Sequence, residues 1–120
     1  MESSVTAWGQ IDPSYTLSKL KKALRDFNES DGMLSDRLYE AYFQLHLLKE
    51  HDFPRALQPA FHSIITAMTE KKDPVPAGEP GRVGDARYTL QQLSSEQCLR
   101  IVSWITALIS EVESSTAGLP

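Results

Sequence analysis

The chain has little cysteine and no long apolar run. Cys98 is its single cysteine, so no disulfide can form within the chain, and disulfide-stapled secreted scaffolds are excluded. No apolar stretch reaches the ~18 residues that a membrane-spanning helix needs. Residues 1–13 lack the basic start and apolar core of a signal peptide, although their serine-rich start also suits an export signal without a fixed motif. We therefore expect a cytoplasmic protein with no membrane partner.

An excess of positive charge is also missing. The chain has 12 Lys and Arg against 16 Asp and Glu, which gives a formal net charge of −4 and a pI near 5.3. Recognition of phosphate over a broad surface needs concentrated Lys and Arg, so nucleic acid is not the expected partner. The local exception is a basic patch of Lys19, Lys21, Lys22 and Arg25 on the first predicted helix. A solvated outer face is the usual explanation for such a cluster.

Established catalytic motifs are absent as well. The chain has no Gly-x-Ser-x-Gly nucleophile motif, and Gly81-x-x-Gly84 lacks the Lys-Ser/Thr pair of a phosphate loop. Cys98 falls on an apolar stripe, which is more typical of a small buried hydrophobe than of a reactive thiol. We therefore expect a protein that is not an enzyme and that binds no cofactor.

One group of residues has metal-ligand chemistry. His46 and Glu50 lie four apart on one predicted helix, and His62 lies on the next. A His/Glu pair at this spacing can hold a transition metal when a neighbouring helix adds a ligand. The chain lacks both the doubled Glu-x-x-His pattern and His-Glu-x-x-His. We keep these three residues as metal candidates but expect no metal site, because a histidine at the core boundary is the simpler interpretation.

Apolar spacing predicts four helices and no strand. They cover about residues 15–28, Met33–Asp52, from Pro54 or Pro59 to about 72, and from Ser94 or Ser95 to about 113. Ser94 and Gln97 have the spacing of a capping box. Residues 73–88 contain three prolines and three glycines, which predict a long irregular loop. We expect one all-α domain over residues 1–120, an up-down four-helix bundle with this Pro/Gly-rich loop between helices 3 and 4. Residues 1–13 and 114–120 are expected to be flexible, with Trp8 or Ile11 against the core.

The predicted helix Met33–Asp52 is apolar on two opposite sides. One stripe recurs at steps of four and three, as expected for a core face, and consists of Leu34, Leu38, Ala41, Leu45 and Leu48. The second stripe, Tyr39, Phe43 and Leu47, lies roughly 180° away at about 100° per residue. A helix with two apolar sides either runs through the middle of a domain or is shared between chains.

This second stripe leads to the functional hypothesis. A bundle of this size buries one face of each helix, and large apolar patches are uncommon on monomers. We therefore predict a non-enzymatic protein-interaction or regulatory protein that acts as a homodimer, and the predicted interface consists of Tyr39, Tyr42, Phe43, Leu47 and Trp104. Two alternatives are an acidic export-chaperone-like or anti-regulator protein that holds an amphipathic segment of a partner, and a small helical metal-binding protein or enzyme.

Overall fold

The described part of the chain is entirely helical. The structure, a computed structural model, describes residues 8–71 and 82–116, with side chains from residue 85 onward in the second range. Its helices are α1 (Pro13–Glu29), α2 (Leu34–Leu45), α3 (Gln58–Thr69), α4 (Arg82–Gln91) and α5 (Ser95–Thr116), with short 3-10 turns at Glu50–Asp52 and Arg55–Leu57. The predicted all-α class is confirmed, and these ranges contain no strand. No described helix has the length and apolar character to cross a membrane.

The first two helices form a hairpin. Asp12 caps α1 by accepting a hydrogen bond from the Ser14 N–H at 3.0 Å, and Pro13 starts the helix where no N–H is needed. Gly32 has φ of 105°, a conformation that suits glycine in the tight connection to α2. Arg37 of α2 donates from Nε to the Phe27 carbonyl at 3.0 Å, and its guanidinium lies 4.4 Å from the centre of the Phe27 ring. This contact joins the end of α1 to the start of α2.

The second helix is much shorter than predicted. The expected helix Met33–Asp52 ends at Leu45, and its last turn tightens through a hydrogen bond from the Leu48 N–H to the Leu45 carbonyl at 3.0 Å. Phe53 is extended (φ −126°, ψ 147°), as expected for a residue that precedes a proline. The predicted continuous helix is therefore wrong, and residues 46–57 form a compact reversal instead.

Two hydrogen bonds that Asp52 accepts hold this reversal in place. The buried Thr16 hydroxyl of α1 donates to the Asp52 carbonyl at 2.7 Å. The Asp52 carboxylate accepts from the Lys49 N–H at 2.8 Å. Phe53 is buried and stacks on Phe61 of α3 with ring centres 4.6 Å apart. The aromatic burial and these bonds replace the helical hydrogen bonds that a longer α2 would have made.

A fifth helix replaces part of the predicted loop. Residues 82–91 form α4, whereas the sequence predicted an irregular connection over 73–88, and residues 72–81 lie outside the described residues. The buried Thr89 hydroxyl accepts from the Lys71 N–H at 2.9 Å and donates to the Lys71 carbonyl at 3.1 Å. This pair of bonds attaches α4 to the end of α3. The predicted four-helix arrangement therefore lacks one helix. The prolines and glycines of residues 73–88 predicted a loop where part of α4 forms.

The last helix begins as the sequence predicted. The Ser94 hydroxyl accepts from the Gln97 N–H at 3.1 Å, and the Gln97 side chain accepts from the Ser94 N–H at 2.8 Å, which is the reciprocal capping box. The helix continues to Thr116, so residues 114–116 are helical where a flexible tail was expected; residues 117–120 lie outside the described residues. Trp8 is buried and donates from Nε1 to the Ser115 hydroxyl at 2.9 Å.

One apolar core joins all five helices. α1 packs on α2 and α5, α2 also packs on α4 and α5, and α3 packs on α4 and α5. The helical residues at the centre of this core include Leu20, Phe27, Leu38, Tyr42, Leu45, Ile64, Met68, Leu90, Ile105, Leu108 and Val112. The first predicted stripe of α2, which includes Leu38, Ala41 and Leu45, therefore faces the core. Leu48, the last residue of that stripe, reaches the core from the reversal after α2.

We expect Thr16→Val to lower the free energy of unfolding by about 1–2 kcal/mol, because the Asp52 carbonyl loses its hydrogen bond from the buried Thr16 side chain without a large change in side-chain shape. Chemical denaturation followed by circular dichroism measures this loss. Thr106→Val is the matched control, since that hydroxyl is exposed and donates to Val102 of its own helix. Equal losses in the two variants would contradict the anchoring role of Thr16.

Candidate functional site

The five predicted interface residues do not form one surface. Tyr42 is fully buried, so its assignment to an interface is wrong: its side chain belongs to the core. Phe43, Leu47 and Trp104 are 38%, 43% and 40% exposed. Tyr39 is half-buried. The exposed residues divide into two surfaces, one on α2 and one on α5.

The first surface is the α2 patch, defined as Tyr39, Phe43 and Leu47. The Tyr39 and Phe43 rings meet edge to face with centres 4.9 Å apart, a favoured aromatic geometry. The Arg87 guanidinium of α4 lies 5.1 Å from the centre of the Tyr39 ring. Leu47 lies just beyond the end of α2, so the predicted stripe survives at the surface although the helix does not continue.

The second surface is a groove between α3 and α5. It encloses a cavity of about 540 Å³, and its lining includes Leu57, Ala60, Ser63, Trp104, Ala107 and Glu111. Alanine and serine side chains line it together with Leu57 and Leu108, and the Trp104 side chain beside them is partly exposed. The groove is mainly apolar, and Glu111 is its charged residue. We call this surface the α3–α5 groove.

The two surfaces lie on opposite sides of α3. Ala60 and Ser63 line the α3–α5 groove, whereas His62 lines a different cavity with His46 at the end of α2. Ala60 and His62 are about 200° apart around α3 at about 100° per residue. The Phe43 ring is 6.3 Å from the His46 ring, which places the α2 patch on the His62 side. Phe43 and Trp104 therefore lie on different sides of α3.

The predicted metal candidates, His46, Glu50 and His62, line the cavity at the end of α2, which has a volume of about 410 Å³. His62 Nδ1 lies 3.2 Å from Glu50 Oε2, and His46 stacks on Tyr42 with ring centres 5.5 Å apart. Burial, and to a lesser degree the charge of Lys49, lowers the pKa of His46 below 6.5. Within residues 8–71 and 82–116, no group of three or more His, Cys, Asp or Glu side chains has an arrangement that could hold a metal ion.

The predicted basic patch is largely engaged within the chain. Lys21 Nζ lies 2.9 Å from Glu113 Oε2 of α5, and Lys22 lies 3.7 Å from Asp26. The Lys19 ammonium lies 5.8 Å from the centre of the Tyr15 ring. The patch is thus a partly neutralised outer face of α1, and only Arg25 of the four has no such contact among the described residues.

The thiol of Cys98 is buried in the core beneath α5. Burial raises the pKa of this thiol, because a thiolate is costly in an apolar environment. Its position at the start of a helix does not compensate for that cost. Cys98 therefore acts as a small core residue.

Sequence reasoning missed most of the groove. Ala60, Ala107 and Glu111 were not predicted as site residues, because alanines and a lone carboxylate carry no motif. The signal that could have found them is the spacing of Arg100, Trp104, Ala107 and Glu111, which recur at steps of four, three and four.

The chain matches no protein-family model, and no curated protein or solved structure is significantly similar to it.

The lowered pKa of His46 makes stability pH-dependent. The unfolded chain binds the proton near pH 6.5 and the folded chain binds it only at lower pH, so the free energy of unfolding should fall as the pH drops from 6.5 towards the folded pKa. Denaturation at several pH values below 6.5 should show a smaller decrease in the free energy of unfolding in His46→Gln than in the wild type.

His51→Gln is the control for that experiment, because the His51 side chain is 82% exposed, and this variant should retain the wild-type pH profile. NMR titration of the His46 ring gives the pKa directly. A midpoint at or above pH 6.5 would contradict the assignment.

Proposed function

We propose that this chain is a non-enzymatic protein-interaction or regulatory protein that acts as a homodimer. The supporting observation is the position of three of its large exposed apolar side chains, Phe43, Leu47 and Trp104. Isolated apolar residues are ordinary on a protein surface, but Phe43 and Leu47 belong to one patch that continues to Tyr39. Trp104 stands beside an apolar groove.

These surfaces have the composition of interaction sites. Aromatic side chains contribute a large share of the binding energy at interfaces, and Trp and Tyr are prominent among the residues whose truncation weakens binding most. Further burial of Trp104 or Phe43 against a partner would gain about 25 cal/mol per Å² of apolar area. One chain already buries its own core. Burial of Trp104 or Phe43 against a partner would therefore stabilise the complex and is not needed for the chain to fold.

The alternative function also has a specific observation in its favour. The two surfaces lie on opposite sides of α3, so one can associate with a second copy while the other remains exposed. An exposed aromatic patch suits an amphipathic helix of a different protein. On this alternative, the homodimer is an acidic chaperone-like or anti-regulator protein that holds such a segment.

The homodimer is tested by mass. At tens of micromolar, light scattering should give twice the 13.4 kDa of one chain, and dilution should shift the population towards the monomer. A single species of 13.4 kDa at all concentrations up to hundreds of micromolar would overturn the proposed homodimer.

A second test asks whether the α2 patch is surface or core. Phe43→Asp should lower the free energy of unfolding by only about 1–2 kcal/mol, because the side chain is partly exposed and its burial is incomplete. Tyr42→Asp, one position earlier on the same helix, should cost about 4 kcal/mol or more, because it buries a carboxylate in the core. Urea denaturation of both variants measures the difference, and similar losses would show that Phe43 is a core residue.

A further inference from the structure

The outer face of α5 carries a pattern that is complementary to itself. Arg100, Trp104, Ala107 and Glu111 follow one another at steps of four, three and four, which places them within about 60° of one another around the helix. All four are exposed, Trp104 by 40%. In chain order the face presents a cation, a large ring, a small side chain and an anion.

Read in the opposite direction, this face of α5 is complementary to itself. If two copies of α5 lie antiparallel with a two-fold axis between positions 105 and 106, Trp104 of each copy faces Ala107 of the other. In the same register Arg100 of each copy faces Glu111 of the other. At about 1.5 Å per residue, Trp104 and Ala107 are about 5 Å apart along one helix, and Arg100 and Glu111 are about 17 Å apart. One register therefore satisfies both pairs, each twice, as a closed two-fold interface requires.

The α3–α5 groove gives this arrangement the necessary depth. Helix axes pack 8–10 Å apart depending on the side chains at the contact, as a general rule, and a large ring fits where the opposing residue is small. Ala107 of α5 lines the groove together with Ala60 and Ser63 of α3. The indole of a second copy would meet these small side chains, with Leu57 and Leu108 as apolar neighbours, while Trp104 of the first copy meets the same set on the second copy.

The charges of this face are available for pairing. Among the described residues, neither Arg100 nor Glu111 forms an ion pair within the chain. Glu113, two residues further along, is paired with Lys21 of α1 at 2.9 Å. An intermolecular pair between Arg100 and Glu111 would therefore break no internal ion pair, and a parallel arrangement in register would instead place like charges opposite each other.

We propose that a second copy of this chain docks on the α3–α5 groove, with the two α5 helices antiparallel, Trp104 against Ala107 and Arg100 against Glu111. This inference rests on the proposed homodimer and specifies its interface. It leaves Phe43 and Leu47 at the surface of the dimer. The α2 patch is then the surface that remains for a different partner.

Charge-reversed variants test the register. In a homodimer of Arg100→Glu, two carboxylates face each other twice, and in a homodimer of Glu111→Arg, two cations do so. Sedimentation equilibrium should show the dissociation constant of each variant raised roughly tenfold or more over wild type. A 1:1 mixture of the two variants has only opposite charges at both contacts, so it should form a heterodimer with close to the wild-type constant.

Two controls separate register from net charge and from folding. Glu96→Arg changes the charge of α5 as Glu111→Arg does, but its mixture with Arg100→Glu should not recover wild-type affinity. Leu99→Glu alters a side chain that is 52% exposed and about 100° from Arg100 around the helix, so it should leave the constant unchanged. Circular dichroism of every variant checks that the fold is retained.

The possible failures are distinguishable. If wild type is a dimer that Phe43→Asp dissociates and Trp104→Glu does not, this inference is overturned and the proposed homodimer stands with the α2 patch as its interface. If the single reversals weaken the dimer but their mixture does not recover, the antiparallel register is overturned. A monomeric wild type overturns the inference together with the proposed homodimer.

Discussion

The arrangement of this protein depends on the chain reversal that ends α2. Thr16 of α1 holds that reversal by donating a hydrogen bond to the Asp52 carbonyl at 2.7 Å, and the Thr16 hydroxyl is itself buried, where an unpaired polar group is costly. Once Asp52 is fixed, Phe53 is directed into the core, where it stacks on Phe61 at the start of α3. The position of α3 relative to α1 and α2 follows from these two contacts.

Both surfaces follow from the same reversal. Because α2 stops at Leu45, Leu47 points away from the core and extends the aromatic edge that Tyr39 and Phe43 begin. Because α3 starts only at Gln58, Ala60 in its first turn lines the same groove as Ala107 of α5. A continuous helix to Asp52 would have carried Leu47 and His46 along α2 and would have displaced α3 from this position.

The sequence predicted helix type and faces more reliably than helix ends. Periodicity identified the all-α class and the inward stripe of α2, and Ser94 with Gln97 located the start of α5. The end of α2 was missed because residues 46–52 contain neither glycine nor proline. The competing signals were the extended geometry that Pro54 imposes on Phe53 and a tertiary bond from Thr16, and only the first of these can be read locally.

The α4 helix was missed for a related reason. Prolines and glycines concentrated at 74–84 obscured a helix that the chain stabilises through Thr89 and its two bonds to Lys71. Polar side chains that form long-range contacts do not stand out in a periodicity analysis, because a lone threonine on a helix is unremarkable in sequence. The candidate site was affected in the same way: aromatic residues were recognised, and the small residues opposite them were not.

Small residues explain why α5 and α2 present different kinds of surface. On α2 the Tyr39 and Phe43 rings contact each other, with centres 4.9 Å apart. On α5 one exposed ring stands beside the α3–α5 groove, with Arg100 and Glu111 placed at equal distances along the helix on either side of the same centre. An aromatic patch sets few requirements for its partner, whereas a ring beside a groove of small side chains, flanked by opposite charges, sets several. A second copy of α5 meets all of them at once, which is why we propose self-association through α5 and recognition of other proteins through α2.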